Sequence, residues 1–301
     1  MPADDRSLRP ITPRAGSGGG DTSRVVTRGE ARARGLAVLR AAAVPRPALD
    51  ADVLLAHVAG VGKEVLVAHP EAELPPAAAL RYDALVARRA AGEPVAYLRG
   101  YKEFYGVTFS VDPRVLIPRP ETEILVDAVR EFAAGRPLTV VDVGTGSGAV
   151  AIALARHEPL LRIIATDVSA DALVVACENA AANGVAARID FRRGDLLTPI
   201  TERLDIVAAN LPYLRADALD DLSGDRASLA FEPRTATVAG DDGLDLIRRA
   251  VADLARVLAP GGAAFFECDP PQIAALRSLA GRPVRVVPDL AGLDRVVVIG
   301  P

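Results

Sequence analysis

The segment DIVAANLPYL, residues 205–214, carries an unusual set of polar and aromatic groups at the end of an apolar run. The two hydrogens of a planar –NH2 group need two acceptors in one plane, and the Asn210 side-chain oxygen and the Leu211 carbonyl are of that kind. Pro212 restricts the residue before it to an extended conformation and so fixes where that carbonyl points. The flat ring of Tyr213 is suited to stacking on an amide or a base.

A glycine-rich turn lies in VVDVGTGSGAVAIALA, residues 140–155. An apolar strand ends near Asp142, glycines follow at Gly144, Gly146 and Gly148, and a helical pattern starts at once. Such glycines permit positive φ and let a ligand approach the main chain closely. The alternative is a tight strand-to-helix turn that binds no ligand.

The spacing of these glycines helps to decide between NAD and S-adenosylmethionine as the bound cofactor. A dinucleotide loop has the pattern G-x-G-x-x-G, whereas this turn has G-x-G-x-G with an acid, Asp142, two residues before the first glycine. S-adenosylmethionine has no phosphate for a helix N-terminus to hold, and its ammonium and sulfonium groups are cations that a carboxylate suits. The pattern therefore favours S-adenosylmethionine over NAD.

Two more acids follow the next two predicted strands. Asp167 ends IIATDVS, where a carboxylate can accept both ribose hydroxyls, an interaction worth roughly 1.5–3 kcal/mol because the acceptor is charged. Its alternative role is a helix cap, for which Ser169 is the better candidate. Asp195 ends the third strand, where an acid meets the adenine edge, and Leu196 is placed to pack on the ring.

The fourth strand ends at Asn210, in the switch region where open α/β sheets bind ligands. An amide nitrogen is a poor nucleophile because its lone pair is delocalised. Two accepted hydrogen bonds raise its electron density and aim it at a methyl carbon, and positioning of this kind can reach roughly 7–11 kcal/mol. We therefore predict methylation of an –NH2 group with Asn210, Pro212 and Tyr213 as the catalytic set. The alternative is an ordinary proline turn after a strand.

The elements that position these groups form two parts. An alanine-rich region has the period of four or five short helices, with Asp50 as a cap and Leu80, Leu85 and Val86 facing inward. After Pro137, strands and helices alternate, which predicts an α/β fold with a mostly parallel, doubly wound sheet in which one of the last strands enters antiparallel. The predicted divisions are a flexible tail at 1–28, a helical domain at 29–98, a hairpin linker at 99–120 with extended stretches at 106–111 and 115–117, and a catalytic domain at 121–301.

Composition narrows the function classes. The net charge of the 301-residue chain is −4 without a long basic run, so no stable nucleic-acid partner is expected. Cys177 and Cys268 are far apart and are predicted to be reduced thiols of a cytoplasmic protein. The three histidines form no cluster, so no metal site is expected. No apolar run approaches the roughly 20 residues that cross a bilayer, and the N-terminus does not resemble a signal peptide, so no membrane partner is expected.

Five segments in order extend the pattern from about residue 30 to the end. They are RRAAGEPVAYLRGYKEFYG, VLIPRPETEILVD, NLPYL, FEPRTATVAGDDGLDLIRRAV and PGGAAFFECDPPQ. With them the chain resembles the HemK-type (PrmC) protein-(glutamine-N5) methyltransferases, which methylate the glutamine of the Gly-Gly-Gln motif in peptide-chain release factors. Several independent motifs in the right order are stronger evidence than the glycine turn alone.

The resemblance implies a class I S-adenosylmethionine-dependent methyltransferase fold, Rossmann-like with a seven-stranded sheet, and an N-terminal helical bundle that docks a release factor. A monomer is expected, and Arg119 and Glu121 are expected to border the site. The candidate cofactor-binding residues are Asp142, Gly144, Thr145, Gly146, Ser147, Gly148, Asp167, Asp195, Leu196, Asn210 and Phe104. The candidate substrate-binding residues are Asn210, Leu211, Pro212 and Tyr213.

Two positions depart from the family's pattern. Leu211 stands where the family carries the first proline of Asn-Pro-Pro-Tyr, which keeps the carbonyl but adds an N–H and some freedom. Asp269 stands where the family usually has glycine. Other acceptors therefore stay open: a different protein, a small metabolite of a biosynthetic N-methyltransferase, or adenine N6 of a nucleic acid. A cofactor-binding regulator without catalysis is the non-enzymatic alternative.

Overall fold

A computed structural model describes residues 25–219 and 224–301. The helices are α1 Arg28–Ala41, α2 Pro47–Ala59, α3 Lys63–Ala68, α4 Pro76–Ala90, α5 Val95–Arg99, α6 Thr122–Ala133, α7 Ala149–His157, α8 Ala170–Ala182, α9 Asp245–Val257 and α10 Ile273–Leu279. The strands are β1 Val26–Thr27, β2 Glu73–Leu74, β3 Tyr101–Phe104, β4 Val107–Ser110, β5 Thr139–Val143, β6 Arg162–Asp167, β7 Ile189–Arg193, β8 Leu204–Ala209, β9 Leu258–Glu267, β10 Val284–Pro288 and β11 Asp294–Ile299.

Helices α1 to α5 enclose an apolar core of their own, centred on Leu39, Leu54 and Tyr82. Helices α2 and α4 both carry proline in the first turn, where the missing N–H costs nothing. Helix α1 passes so close to α4 that a Cβ at Gly35 would lie 2.1 Å from the Tyr82 hydroxyl. The small residue is therefore required for these two helices to pack.

Three details of this helical region differ from the prediction. Asp50 is not a cap, since it lies inside α2, is 8% exposed and accepts a 2.7 Å bond from Arg89 Nε on α4. Leu80 is 72% exposed on the outer side of α4 rather than inward. Strand β1 lies inside the segment predicted as a tail and pairs antiparallel with β2. Helix α1 also begins in that segment, at a capping box formed by Thr27 and Glu30. The rest of that tail, residues 1–24, lies outside the described residues.

The predicted hairpin is present and one of its two strands is the predicted one, since β4 lies within the extended stretch expected at 106–111, whereas its partner is β3 and not residues 115–117. Strands β3 and β4 pair across a two-residue turn at Tyr105 and Gly106, whose φ values are +51° and +68°. Residues 115–117 form no strand in the structure. Val115 and Ile117 are nevertheless buried, and apolar residues two positions apart have the same pattern as a half-buried strand.

The large sheet has seven strands in the order β10-β11-β9-β8-β5-β6-β7. Strands β5 to β9 run parallel, and β11 is antiparallel to both of its neighbours, which confirms the prediction of a doubly wound sheet with one reversed strand. Both faces are covered: α6, α7 and α8 pack on one, and α9 and α10 on the other. Adjacent Phe265 and Phe266 on β9 enter opposite cores, as the period of a strand requires.

The site lies where the strand order reverses. From β5 the chain continues to β6 and β7 on one side, and β8 and β9 then lie on the other. Ligands bind at such a switch point, outside the carboxyl ends of the strands. The register pairs Val143 with Ala209, so the glycine turn and Asn210 leave the sheet side by side. In residues 25–219 and 224–301 no helix has the length and apolarity to cross a bilayer.

The Asp50–Arg89 ion pair predicts a stability difference between two pairs in the helical region. Both side chains are at most 13% exposed, so Asp50→Ala leaves a buried guanidinium unpaired and should lower the free energy of unfolding by about 3 kcal/mol. Asp83→Ala is the control, because the Asp83–Arg34 pair is 45–50% exposed and should contribute less than about 1 kcal/mol. Urea unfolding followed by circular dichroism measures both. Equal losses in the two variants would contradict a structural role for the buried pair.

Candidate active site

The glycine turn after β5 needs residues without a Cβ. Gly144, Gly146 and Gly148 have φ values of +71°, +56° and +83°, and a Cβ at Gly148 would lie 2.8 Å from Ile152 Cδ1. The N–H groups of Gly144 and Thr145 both donate to the Thr166 carbonyl at 2.8 and 2.9 Å, which fastens the turn to β6. The main chain is thereby held open at the edge of the sheet, as a turn that binds a ligand requires.

Asp142 lies beneath this turn and is 2% exposed. Its Oδ2 accepts hydrogen bonds from Thr145 Oγ1 at 2.6 Å and from Ala151 N at 3.1 Å. Burial raises the pKa of Asp142 to about 6. Both donors belong to the turn and to α7, so the carboxylate holds the loop together as well as bordering a small cavity of about 50 Å³. The sequence predicted only a contact with the cofactor's cations.

Asn179 on α8 joins the same turn to the hairpin. Its Oδ1 accepts from Ser110 N at 2.8 Å, and its Nδ2 donates to the carbonyls of Ser110 at 3.0 Å and Ser147 at 2.9 Å. Asn179 and Ser147 are both almost completely buried. One amide therefore fixes β4 against the glycine turn, a contact that no local pattern in the sequence indicates.

Asp167 ends β6 with its carboxylate oriented by the backbone. Oδ2 accepts from Gly146 N and Oδ1 from Ser169 N, each at 2.9 Å, and burial raises its pKa. Helix α8 is capped by Ser169, whose Oγ accepts from Ala172 N at 3.2 Å. The cap is thus the residue that the sequence favoured for it, and the Asp167 carboxylate lies on the wall of a larger cavity.

This larger cavity has a volume of about 340 Å³, within the range of small-molecule sites. Two short segments on its rim were not assigned to the site, 113–116 after the hairpin and 233–236 before α9. Of the candidate residues from the sequence, those that line it are Gly144, Gly146, Asp167, Asp195, Leu196, Asn210, Leu211 and Pro212. Thr145 and Ser147 line the smaller cavity, together with Asp142, Gly144, Gly146 and Asn210.

The floor of the larger cavity includes a strained residue. Leu196 has a φ of +49°, uncommon for a residue with a branched side chain, and its carbonyl accepts from Thr166 Oγ1 at 3.0 Å. Backbone strain of this kind persists where the surroundings over-determine it and clusters at binding sites. Neighbouring Asp195 forms an ion pair with Arg249 on α9 and remains about half exposed.

Asn210 lies between the two cavities and borders both. Its Nδ2 donates to Thr122 Oγ1, the first residue of α6, at 2.9 Å, which leaves the Oδ1 end of the amide for a ligand. Leu211 is 2% exposed and packs over the glycine turn, where a Cβ at Gly144 would lie 3.1 Å from Leu211 Cδ2. The residue that replaces proline is therefore held by packing.

Tyr213 is not among the described residues that line these two cavities. Burial raises the pKa of its hydroxyl, and its carbonyl accepts from Gln272 Nε2 at 3.0 Å. Gln272 Nε2 also donates to the Gly243 carbonyl at 3.2 Å. The amide of Gln272 therefore fixes the backbone after Asn-Leu-Pro. In the sequence, Gln272 is indicated only by its place in the string DPPQ. Stacking of Tyr213 on a substrate stays a prediction.

Phe104, which the resemblance placed near the cofactor, is not among the described residues that line either cavity, and its contact with the cofactor stays a prediction. It is 2% exposed and packs edge-on against Phe109, with ring centroids 6.0 Å apart. The hairpin turns its apolar rings into the core, and the segment that follows it, residues 113–116, reaches the cavity instead.

The second departure, Asp269, has a structural account. Asp269 starts a short turn as a capping box with Gln272, and its Oδ1 accepts from Arg295 Nη1 at 3.2 Å. A carboxylate in place of glycine therefore caps the turn that carries Gln272 and ties it to β11.

An ion pair between a partly exposed arginine and a buried glutamate lies beside the smaller cavity. The Glu232 side chain is fully buried, pairs with Arg119 and accepts from the Ile117 N–H at 3.1 Å. Arg119 lines the smaller cavity, as expected for a residue that borders the site. The pair joins the IPRP and FEPR segments across 113 residues of chain, so neither string alone indicated it.

Comparison with known proteins agrees with this geometry. Residues 30–100 match the family described as the PrmC N-terminal domain, and residues 120–224 match the methyltransferase small domain. The crystal structure of the hMettl16 catalytic domain in complex with MAT2A 3′UTR hairpin 1 superposes with a TM-score of 0.54 at 15% identity, covering 74% of this chain and 80% of that one. The fold and the site define a class I methyltransferase that uses S-adenosylmethionine as its cofactor.

Curated relatives make the assignment narrower. The release factor glutamine methyltransferase of Moorella thermoacetica is 44% identical over 273 residues, 88% of this chain and 95% of the relative. The protein of the same description from Nitratidesulfovibrio vulgaris is 40% identical, over 86% of this chain and 90% of the relative. The chain therefore belongs to the release factor glutamine methyltransferase family, which confirms the resemblance noted from its motifs.

The geometry of Asp167 predicts a selective loss of cofactor binding. Asp167→Ala removes a pre-oriented charged acceptor from the cavity and should weaken S-adenosylmethionine binding about tenfold or more in calorimetry. Ser169→Ala is the matched control, since it removes the cap of α8 but leaves the carboxylate. It should cost about 1 kcal/mol of stability with affinity within about threefold. Equal affinities in the two variants would leave Asp167 with a purely structural role.

Proposed function

We propose that this enzyme transfers a methyl group from S-adenosylmethionine to the side-chain amide nitrogen of a glutamine in a protein. The proposed acceptor is the glutamine of the Gly-Gly-Gln motif in a peptide-chain release factor. The observation that carries the proposal is the Asn210 amide, whose nitrogen is held by Thr122 at 2.9 Å while the side chain borders both cavities. Relatives described as release factor glutamine methyltransferases support the same acceptor.

The chain's part in the reaction is to hold a weak nucleophile. Asn210 Oδ1 and the Leu211 carbonyl accept the two hydrogens of the glutamine –NH2, which raises the electron density on nitrogen and fixes its plane. Pro212 keeps Leu211 extended, and burial of the Leu211 side chain against the glycine turn keeps its carbonyl in place. When bound, S-adenosylmethionine supplies an electrophilic methyl group. The catalytic gain is positional, so the chain needs no strong base before the nitrogen is attacked.

The helical region at 29–98 is proposed to dock the protein substrate. Its contact with the site supports this, because a Cβ at Gly92 would lie 3.2 Å from Phe231 Cε2, next to the FEPR segment. Helix α5 also leads directly into the hairpin, and the segment that follows the hairpin, residues 113–116, borders the larger cavity. We propose a cytoplasmic monomer that meets its protein substrate transiently and forms no stable nucleic-acid complex. The relatives favour a protein amide over the small-metabolite and adenine alternatives.

Methyl transfer to a defined glutamine tests the proposed acceptor. The full-length enzyme is incubated with S-adenosylmethionine labelled in its methyl group and a recombinant release factor, and in parallel with the Gln→Ala variant of its Gly-Gly-Gln loop. Label should enter the first release factor and not the second. Label in neither, with transfer to a small-molecule fraction, to DNA or to ribosomal RNA, would overturn the proposal in favour of another acceptor.

Asn210→Ala tests the role of the amide. The loss of one acceptor for the substrate –NH2 should lower turnover at least tenfold, about 1.4 kcal/mol or more, with cofactor affinity within a few-fold of the parent enzyme. Asn183→Ala is the control, an asparagine whose Nδ2 donates to Thr108 O and Asn179 O away from both cavities. Steady-state methylation and calorimetry give the two quantities. Near-normal turnover in Asn210→Ala would remove this residue from the mechanism.

A further inference from the structure

Three side chains from three elements meet behind the substrate position. Asn210 follows β8, Thr122 begins α6, and Glu267 ends β9. The parallel register pairs Ala209 with Phe266, which sets Asn210 beside Glu267 at the edge of the sheet. Thr122 Oγ1 accepts from Asn210 Nδ2 at 2.9 Å. Burial raises the pKa of the neighbouring Glu267 carboxylate, and the Thr122 hydroxyl opposes this by acting on it as a hydrogen-bond donor. Thr122 is 4% exposed and Glu267 2%, so solvent competes little with these bonds.

The direction of this chain of hydrogen bonds follows from the chemistry of its last member. An ionised carboxylate only accepts, so the single hydrogen of the Thr122 hydroxyl points to Glu267. The Thr122 oxygen then has only lone pairs for Asn210 and must face the NH2 end of that amide. The oxygen end is thereby directed to the opposite side. The two ends of an asparagine amide are similar in shape and opposite in hydrogen bonding, so the network decides which one a ligand meets.

We infer that Thr122 and Glu267 are positioning residues that hold the Asn210 amide with its oxygen toward the substrate –NH2. The inference deepens the proposed function, on which it rests. If the amide were reversed, the Asn210 NH2 group would face the substrate –NH2 group, and both are hydrogen-bond donors. The enzyme would then offer the substrate only one acceptor, the Leu211 carbonyl, instead of two. Neither Thr122 nor Glu267 was among the candidate site residues from the sequence.

The surroundings of Glu267 make the chain sensitive to pH. Its Oε2 is buried without a hydrogen-bond partner among the described residues. The charged groups that act on it are the carboxylates of Glu121 and Asp269 and the guanidinium of Arg295, and the Tyr213 hydroxyl lies in the same cluster. Burial raises the pKa of Glu267 to about 7. A protonated Glu267 can donate to the Thr122 oxygen. The Thr122 hydroxyl is then free to donate to Asn210, which permits the reversed orientation of the Asn210 amide. Turnover should therefore fall as the pH drops through about 7.

Substitutions of Thr122 test the inference directly. Thr122→Val keeps the shape and removes the hydroxyl, and should lower kcat for glutamine methylation at least tenfold with cofactor affinity within about threefold. Thr122→Ser keeps the hydroxyl and should restore kcat to within about threefold of the parent enzyme. Thr122→Val added to Asn210→Ala should lower kcat no further, because both act through one amide. Additive losses, or no rescue by serine, would overturn the positioning role.

Glu267→Gln supplies a second readout that does not depend on Thr122. The parent enzyme should lose kcat below about pH 7, and the variant should have a lower kcat that no longer changes with pH in that range. An unchanged acidic limb in the variant would overturn the role of Glu267. Failure of the proposed function is distinguishable, since the parent enzyme would then not methylate the release-factor glutamine at all, whereas failure of the inference leaves that activity intact.

Discussion

The parallel pairing of β5 with β8 is the constraint on which the site depends. Its register sets Val143 beside Ala209, so the glycine turn and Asn210 leave the sheet as neighbours although 66 residues separate the paired strand ends. The strand order reverses at this pair, and the larger cavity lies in the crevice that the reversal opens. Both strands are buried between the two apolar cores, so the geometry of the edge is fixed by hydrophobic packing rather than by the loops themselves.

Sequence patterns identified the groups that lie at this edge because each follows a strand with a clear period. Asp167, Asp195 and Asn210 could be located in this way, and Ser169 could be recognised as a cap from its type and position. Predictions failed where orientation mattered. Leu80 fits the apolar period of α4 and was expected to face inward, but it is 72% exposed, because a period alone does not decide which residues at the edge of an apolar face reach the core.

The missed residues are those whose partners are distant in the chain. Glu232 bonds to Arg119, Gln272 to the Tyr213 carbonyl, and Thr122 to Asn210, at separations of 113, 59 and 88 residues. Periodicity reports local structure, so such contacts give no signal until the fold brings them together. All three lie within strings that supported the family resemblance. A motif can therefore contain residues whose contacts with distant segments are visible only in the folded structure.

The amide of Asn179 has a consequence for how the two halves of the molecule communicate. It bonds to both backbone groups of Ser110 in the hairpin and to the Ser147 carbonyl in the cofactor turn, with every polar atom of its side chain engaged. The hairpin is in turn the direct continuation of α5, so one path from the helical region to the glycine turn runs through the hairpin and the Asn179 amide. The proposed docking of a protein substrate on the helical region and the binding of the cofactor at the glycine turn are therefore physically connected, and any coupling between them is reciprocal, since each would change the affinity of the other by the same factor.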